Sequence, residues 1–120
     1  MIRLIQRRLI IPRGDTGSFS IPLQSSMSNN DIALFSIYDP MIKKNILELN
    51  GSVEDDIITF TFTHELTANL EPKKYLWDVT LYKNPIYDED EKLIGGEEVN
   101  SYYSAFKLPI CEIREVTTNV

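Results

Sequence analysis

The chain is poor in the residues on which covalent and metal chemistry depend. Among 120 residues there is one cysteine, Cys111, and one histidine, His64. A single thiol excludes an intrachain disulfide and a cysteine-based zinc cage, so stability has to come from packing. No GxSxG, HExxH or glycine-rich phosphate loop accompanies His64, and a surface or capping role suits it better than acid–base work. Cys111 lies in the apolar run LPICEI, where a free thiol behaves as a small buried hydrophobe. No enzyme activity and no cofactor are expected. No run reaches the ~18 to 20 consecutive apolar residues of a membrane-spanning helix. The opening MIRLIQRRLII combines basic and apolar residues as a secretory leader does, but its arginines are interspersed and no small-residue cleavage site follows. The expectation is a fold that begins at once, inside the cell that makes it, without a membrane partner.

What is present is ordinary for a globular domain: 42% hydrophobic and 25% charged residues, at a length that supports one core over 1–120. The charge is polarised. Residues 1–13 hold Arg3, Arg7, Arg8 and Arg13 with no acid, giving +4; the other eight bases and eighteen acids give −10, for a net −6. An acidic body repels phosphate backbones, so nucleic acid is not an expected partner.

The dominant period is two. Phe19, Ile21 and Leu23 share one face, as do Ile58, Phe60 and Phe62 against Thr59 and Thr61, and as do Tyr75, Trp77, Val79 and Leu81. IALFSIYD is apolar on both faces and reads as a central strand. Further strands are expected over 2–11, 44–49 and 102–116, the last broken by Pro109. Turn residues separate nearly all of these runs. The spacing predicts an all-β fold, an antiparallel immunoglobulin-like β-sandwich of seven or eight strands. THELTANL interrupts the pattern: Thr63 as N-cap, Glu65 in the first turn and Leu66 four residues before Leu70 predict a single helical turn. Residues 84–100 are expected to form an acidic loop or hairpin, within which Tyr87 to Glu98 is predicted to be among the most mobile parts of the chain. Its Asp88-Glu89-Asp90-Glu91 run lacks EF-hand spacing, so a solvated tip is expected rather than a metal site.

Three short motifs occur in order: Arg13-Gly14-Asp15-Thr16 leading into a strand, Thr63-His64-Glu65-Leu66-Thr67-Ala68-Asn69-Leu70, and Tyr75-Leu76-Trp77-Asp78-Val79. Over roughly residues 10–83 this order resembles the N-terminal β-sandwich module of the phage baseplate upper protein family and related small tail and baseplate proteins. Lys73 stands where that family usually has glycine, its Leu-Thr-Gly-Ala turn is absent, and residues 84–103 are longer than a simple hairpin turn. The resemblance implies a non-catalytic structural and docking protein of a phage or prophage virion, in contact with other tail or baseplate proteins. It also gives Arg13-Gly14-Asp15 a structural reading as a strand-entrance turn rather than an integrin ligand.

The N-terminal run places Ile2, Leu4, Gln6, Arg8 and Ile10 on one face of an extended strand and Arg3, Ile5, Arg7, Leu9 and Ile11 on the other. Neither face is cleanly polar, and unpaired strand edges template other chains. Residues 1–11 are therefore expected to form a subunit-contact arm in a homo-oligomer, with Ile2, Arg3, Leu4, Arg7 and Arg8 at the interface; the alternative is that this strand only completes its own sandwich. A second class of function, saccharide binding, would use an aromatic platform drawn from Trp77, Tyr82, Tyr87, Tyr102 or Tyr103; the core is the simpler home for Trp77.

Overall fold

A computed structural model describes residues 1–23, 31–91, 93–101 (backbone only) and 109–115. Within them the chain forms β1 (Arg3–Ile5), β2 (Arg8–Pro12), β3 (Gly17–Pro22), β4 (Ile32–Asp39), β5 (Lys44–Asn50), β6 (Ser52–Glu54), β7 (Ile57–Phe62), α1 (His64–Ala68), β8 (Lys74–Tyr87), β9 (Leu93–Ser101) and β10 (Ile110–Arg114). One sheet runs β1-β2-β10-β8-β4-β5, with β9 on the far half of β8; the other runs β3-β7-β6. This is an all-β sandwich. Its strand order is that of an immunoglobulin domain, with β3, β7 and β6 as the B, E and D strands and β10, β8, β4 and β5 as G, F, C and C′.

The alternation in the sequence becomes the core. Phe19 and Ile21 pair with Phe60 and Ile58 across β3 and β7, and all four are buried. Opposite them, Phe35, Ile37, Trp77 and Val79 project inward from β4 and β8 with at most 0% exposure. Phe19 meets Trp77 edge-on at 5.6 Å and Phe35 at 5.4 Å, while Phe35 packs on Phe60 at 5.5 Å. Such pairs contribute about 0.5–1.5 kcal/mol each beyond the area they bury.

Two features of the immunoglobulin pattern occur here without a disulfide. Tyr75, near the start of β8, donates its hydroxyl to the Glu71 carbonyl at 2.8 Å, the tyrosine-corner arrangement. Two residues later, where antibody domains carry the second cysteine of the inter-sheet bridge, the chain has Trp77 against Phe19 of the opposite sheet. Aromatic packing here occupies the place of the covalent cross-link.

Several sequence expectations are corrected. Residues 2–11 are not one strand: Gln6, at φ 57°, and Arg7 turn the chain so that β1 pairs back on β2. That turn lets both apolar sets face the core, and Ile2, Leu9 and Ile11 are all buried in it. β2 then runs parallel to β10, from Leu9 beside Cys111 to Pro12 beside Arg114, so the sheet is not wholly antiparallel. The run after Tyr82, expected to turn, continues β8 to Tyr87 and pairs with β9 through several register shifts. With β6 added, these elements bring the described strands to ten rather than seven or eight. The strand expected over 102–116 is seen from Ile110; residues 102–108 and 116–120, including Tyr102 and Tyr103, lie outside the described residues.

Candidate functional site

The region from β2 to β8 is tied together around α1. Pro12 accepts a hydrogen bond from Asp15 N–H at 3.1 Å, closing a turn in which Gly14 sits at φ 82°. A side chain there would be strained, and its Cβ would stand 3.3 Å from the His64 ring. His64 Nδ1 is hydrogen-bonded to the Gly14 carbonyl, Thr67 donates its hydroxyl to the Asp15 carbonyl at 2.7 Å, and Arg13 Nε donates to the Ala68 carbonyl at 3.0 Å. Thr63 caps α1 through Leu66 N–H, as its position in the sequence predicts. Arg13-Gly14-Asp15 is thus a turn docked on α1, and His64 a clamp on it. The Asp15 carboxyl is held below its ordinary value chiefly by its hydrogen bond with the Met1 amino group, at 2.6 Å.

On the other side of α1 lies a groove of about 850 Å3. One wall is β5 and the turn before it, contributing Met41, Ile42, Ile46 and Glu48; the other is α1 and the run into β8, contributing Glu65, Leu66 and Glu71. Its most ordered polar feature is Asp39, at the end of β4. Asp39 is buried, accepts Met41 N–H at 3.0 Å and pairs with Lys73 Nζ at 2.7 Å. The Lys73 ammonium holds the Asp39 carboxyl below its usual value, and Asp39 raises Lys73 in return; burial opposes both shifts. Lys73 also sits 5.1 Å over the Tyr75 ring, and burial pushes the Tyr75 phenol up. Met41 and Ile42 are 81% and 56% exposed at the mouth. Two bare apolar side chains thus stand next to a groove whose floor is fixed by the Asp39–Lys73 pair.

The residues expected at an interface are placed unequally. Ile2 is buried in its own core, and Leu4 is half-buried against that core. Arg3, Arg7 and Arg8 are exposed. Arg8 pairs with Glu112 of its own chain, which Arg114 also engages, and these two guanidinium groups, Arg114 first, hold the Glu112 carboxyl down. The Arg7 carbonyl accepts Trp77 Nε1–H at 3.0 Å, so the β1–β2 turn is pinned to the core. The groove residues Asp39, Met41, Ile42, Glu48 and Glu71 carry no expectation from the sequence, and Lys73 is marked there only as a departure from the family's glycine. The apolar pair inside the turn YDPMIKKN is the signal that points to them.

Among the aromatics of the saccharide reading, Trp77 is fully buried, Tyr87 is 47% exposed and Tyr82 is half-buried. Tyr82 and Tyr38 flank a shallow cleft of about 230 Å3 on the outer face of β4, β5 and β8, with Asn45, Asp78 and Thr80. Asp88 to Glu91 close the tip of the β8–β9 hairpin, where Asp88 accepts Asp90 N–H at 2.9 Å. No cluster of three metal-ligating side chains is found among the described residues. No family model matches the chain, and no curated protein matches it in sequence.

Proposed function

We propose that this domain is a structural and docking module of a phage or prophage tail or baseplate, working in the virion by protein–protein contact and without catalysis. The observation that carries the docking reading is the groove beside α1, with Met41 and Ile42 bare at its mouth above the fixed Asp39–Lys73 floor. The phage assignment rests on the order of the three motifs. They fall on the β2–β3 turn, α1 and β8; hydrogen bonds of Gly14 and Asp15 join the first to the second, and Tyr75 ties the start of β8 to the Glu71 carbonyl just after α1. Mass spectrometry of tail particles purified from the encoding phage tests the reading: the chain is expected at a fixed ratio to known tail proteins. Its absence from the particles would refute a virion role.

A second reading, a saccharide-binding sandwich, is favoured by the Tyr38–Tyr82 cleft alone. Glycan-array binding that is lost on Tyr82→Ala would support it over the first.

A further inference from the structure

Two surfaces of the molecule are complementary in charge and in apolar content. The first is the groove, lined by four carboxylates, Asp39, Glu48, Glu65 and Glu71, and one ammonium, Lys73, for a net −3. Asp39 and Lys73 satisfy each other at the floor, which leaves the three exposed glutamates to meet whatever enters.

The second surface is the outer face of β1, β2, β10 and the start of β8. Leu4 pairs with Leu9 and packs toward the core, so its neighbours Arg3 and Ile5 face outward. Arg3 registers with Ile10, Ile10 with Glu112 and Glu112 with Lys74; Ile5 registers with Arg8, and Ile110 with Leu76. The face therefore carries Arg3, Arg8, Lys74 and Arg114 against the single acid Glu112, for a net +3. Ile5 and Ile110 stand on it 51% and 38% exposed. β1 and β5 are opposite edges of the same sheet, so the β1–β2 hairpin and the groove beside β5 can meet only between molecules.

Resting on the docking function proposed above, we infer that the occupant of the groove is a second copy of this chain. The β1–β2 hairpin of one copy and its basic face seat against the β5–α1 groove of the next, with Ile5 and Ile110 against Met41 and Ile42. The incoming hairpin is already ordered, because the Trp77 ring nitrogen holds its turn and β2 is locked to β10, so little conformational freedom is lost on docking. Each copy uses one of each surface. Such a head-to-tail contact closes into a ring if the rotation allows and otherwise runs on as a filament.

The test is the mass of the full chain by light scattering and sedimentation. The wild type is expected to show concentration-dependent association, weakened by about tenfold or more in high salt because the paired surfaces are exposed. A groove variant, Glu65→Lys with Glu71→Lys, and a face variant, Arg3→Glu with Ile5→Ser, are each expected to be monomeric. Mixed, they are expected to form a one-to-one dimer, since one intact groove and one intact face remain between them. Thermal melts check that both stay folded; Met41→Ser with Ile42→Ser, at exposed positions, serves as a second groove variant.

A wild type that stays monomeric, an association unaffected by either charge variant, or a mixture that forms no dimer overturns the inference. A monomeric chain that still enters tail particles, and is lost from them in the groove variants, overturns self-docking alone. A chain absent from the particles overturns the docking function as well.

Discussion

At the scale of single residues, Trp77 has the heaviest structural duty. It is fully buried, packs on Phe19 and Phe35, and donates its ring N–H to the Arg7 carbonyl. Trp77→Ala is expected to cost about 3–5 kcal/mol through lost burial and a residual cavity. Urea unfolding followed by circular dichroism measures this, and a loss below about 1 kcal/mol would contradict its place in the core. The carboxylates Asp39 and Glu112 behave in the opposite way to a buried thiol, since cations beside them lower their ordinary values of 3.8 and 4.5. Groups depressed in the folded state contribute stability above their unfolded values and lose it as pH falls through the folded ones. Stability should therefore fall on acidification through the carboxylate range, and Asp39→Asn with Glu112→Gln should flatten that limb. Lys73, raised above 10.5, keeps its contribution until pH climbs through the raised value, so neutral solution retains both halves of the pair.

At the scale of elements, the passage from one sheet to the other between β5 and β6 depends on Gly51. Its N–H donates to the Ala33 carbonyl at 2.9 Å, and a Cβ there would lie 2.6 Å from Ile58 and 2.7 Å from Phe60. Both neighbours are buried and have little room to retreat. Gly51→Ala is expected to destabilise by about 1–3 kcal/mol, the range of an overpacked core. An unchanged unfolding midpoint would mean that the β5–β6 link shifts freely. α1 lies on the return crossing, from β7 to β8. Its five residues are too few to be a stable helix alone, and they hold because the Thr63 cap, the Thr67 hydroxyl and Leu70 fix them to the sandwich.

At the scale of the whole molecule, the two ends of the chain meet in one parallel pair, β2 against β10, beside the core. Cys111 sits in that pair with 0% exposure, and burial pushes its thiol up to about 12. A thiol both inaccessible and protonated reacts only when the sandwich opens. Labelling by a thiol reagent in native buffer should therefore follow global unfolding and accelerate with urea in step with it. Labelling that ignores urea would instead reveal local release of β10.

The reach of the sequence depended on how local each determinant was. The alternation of Phe19, Ile21, Ile58, Phe60 and Phe62, the inward set Tyr75, Trp77, Val79 and Leu81, and the Thr63 cap were legible, because period and capping are set within a few residues. The turn at Gln6 and Arg7 was not, since no glycine or asparagine marks it and both faces of the run are mixed. Only packing decides it: folding back on β2 buries Ile2, Leu9 and Ile11 together. The parallel β2–β10 pair joins opposite ends of the chain, a register that no short-range pattern encodes. The groove likewise belongs to tertiary structure. Asp39 and Lys73 are 34 residues apart and become a pair only when β8 lies beside β4, and that pairing is what sets the exposed Met41 and Ile42 at its mouth.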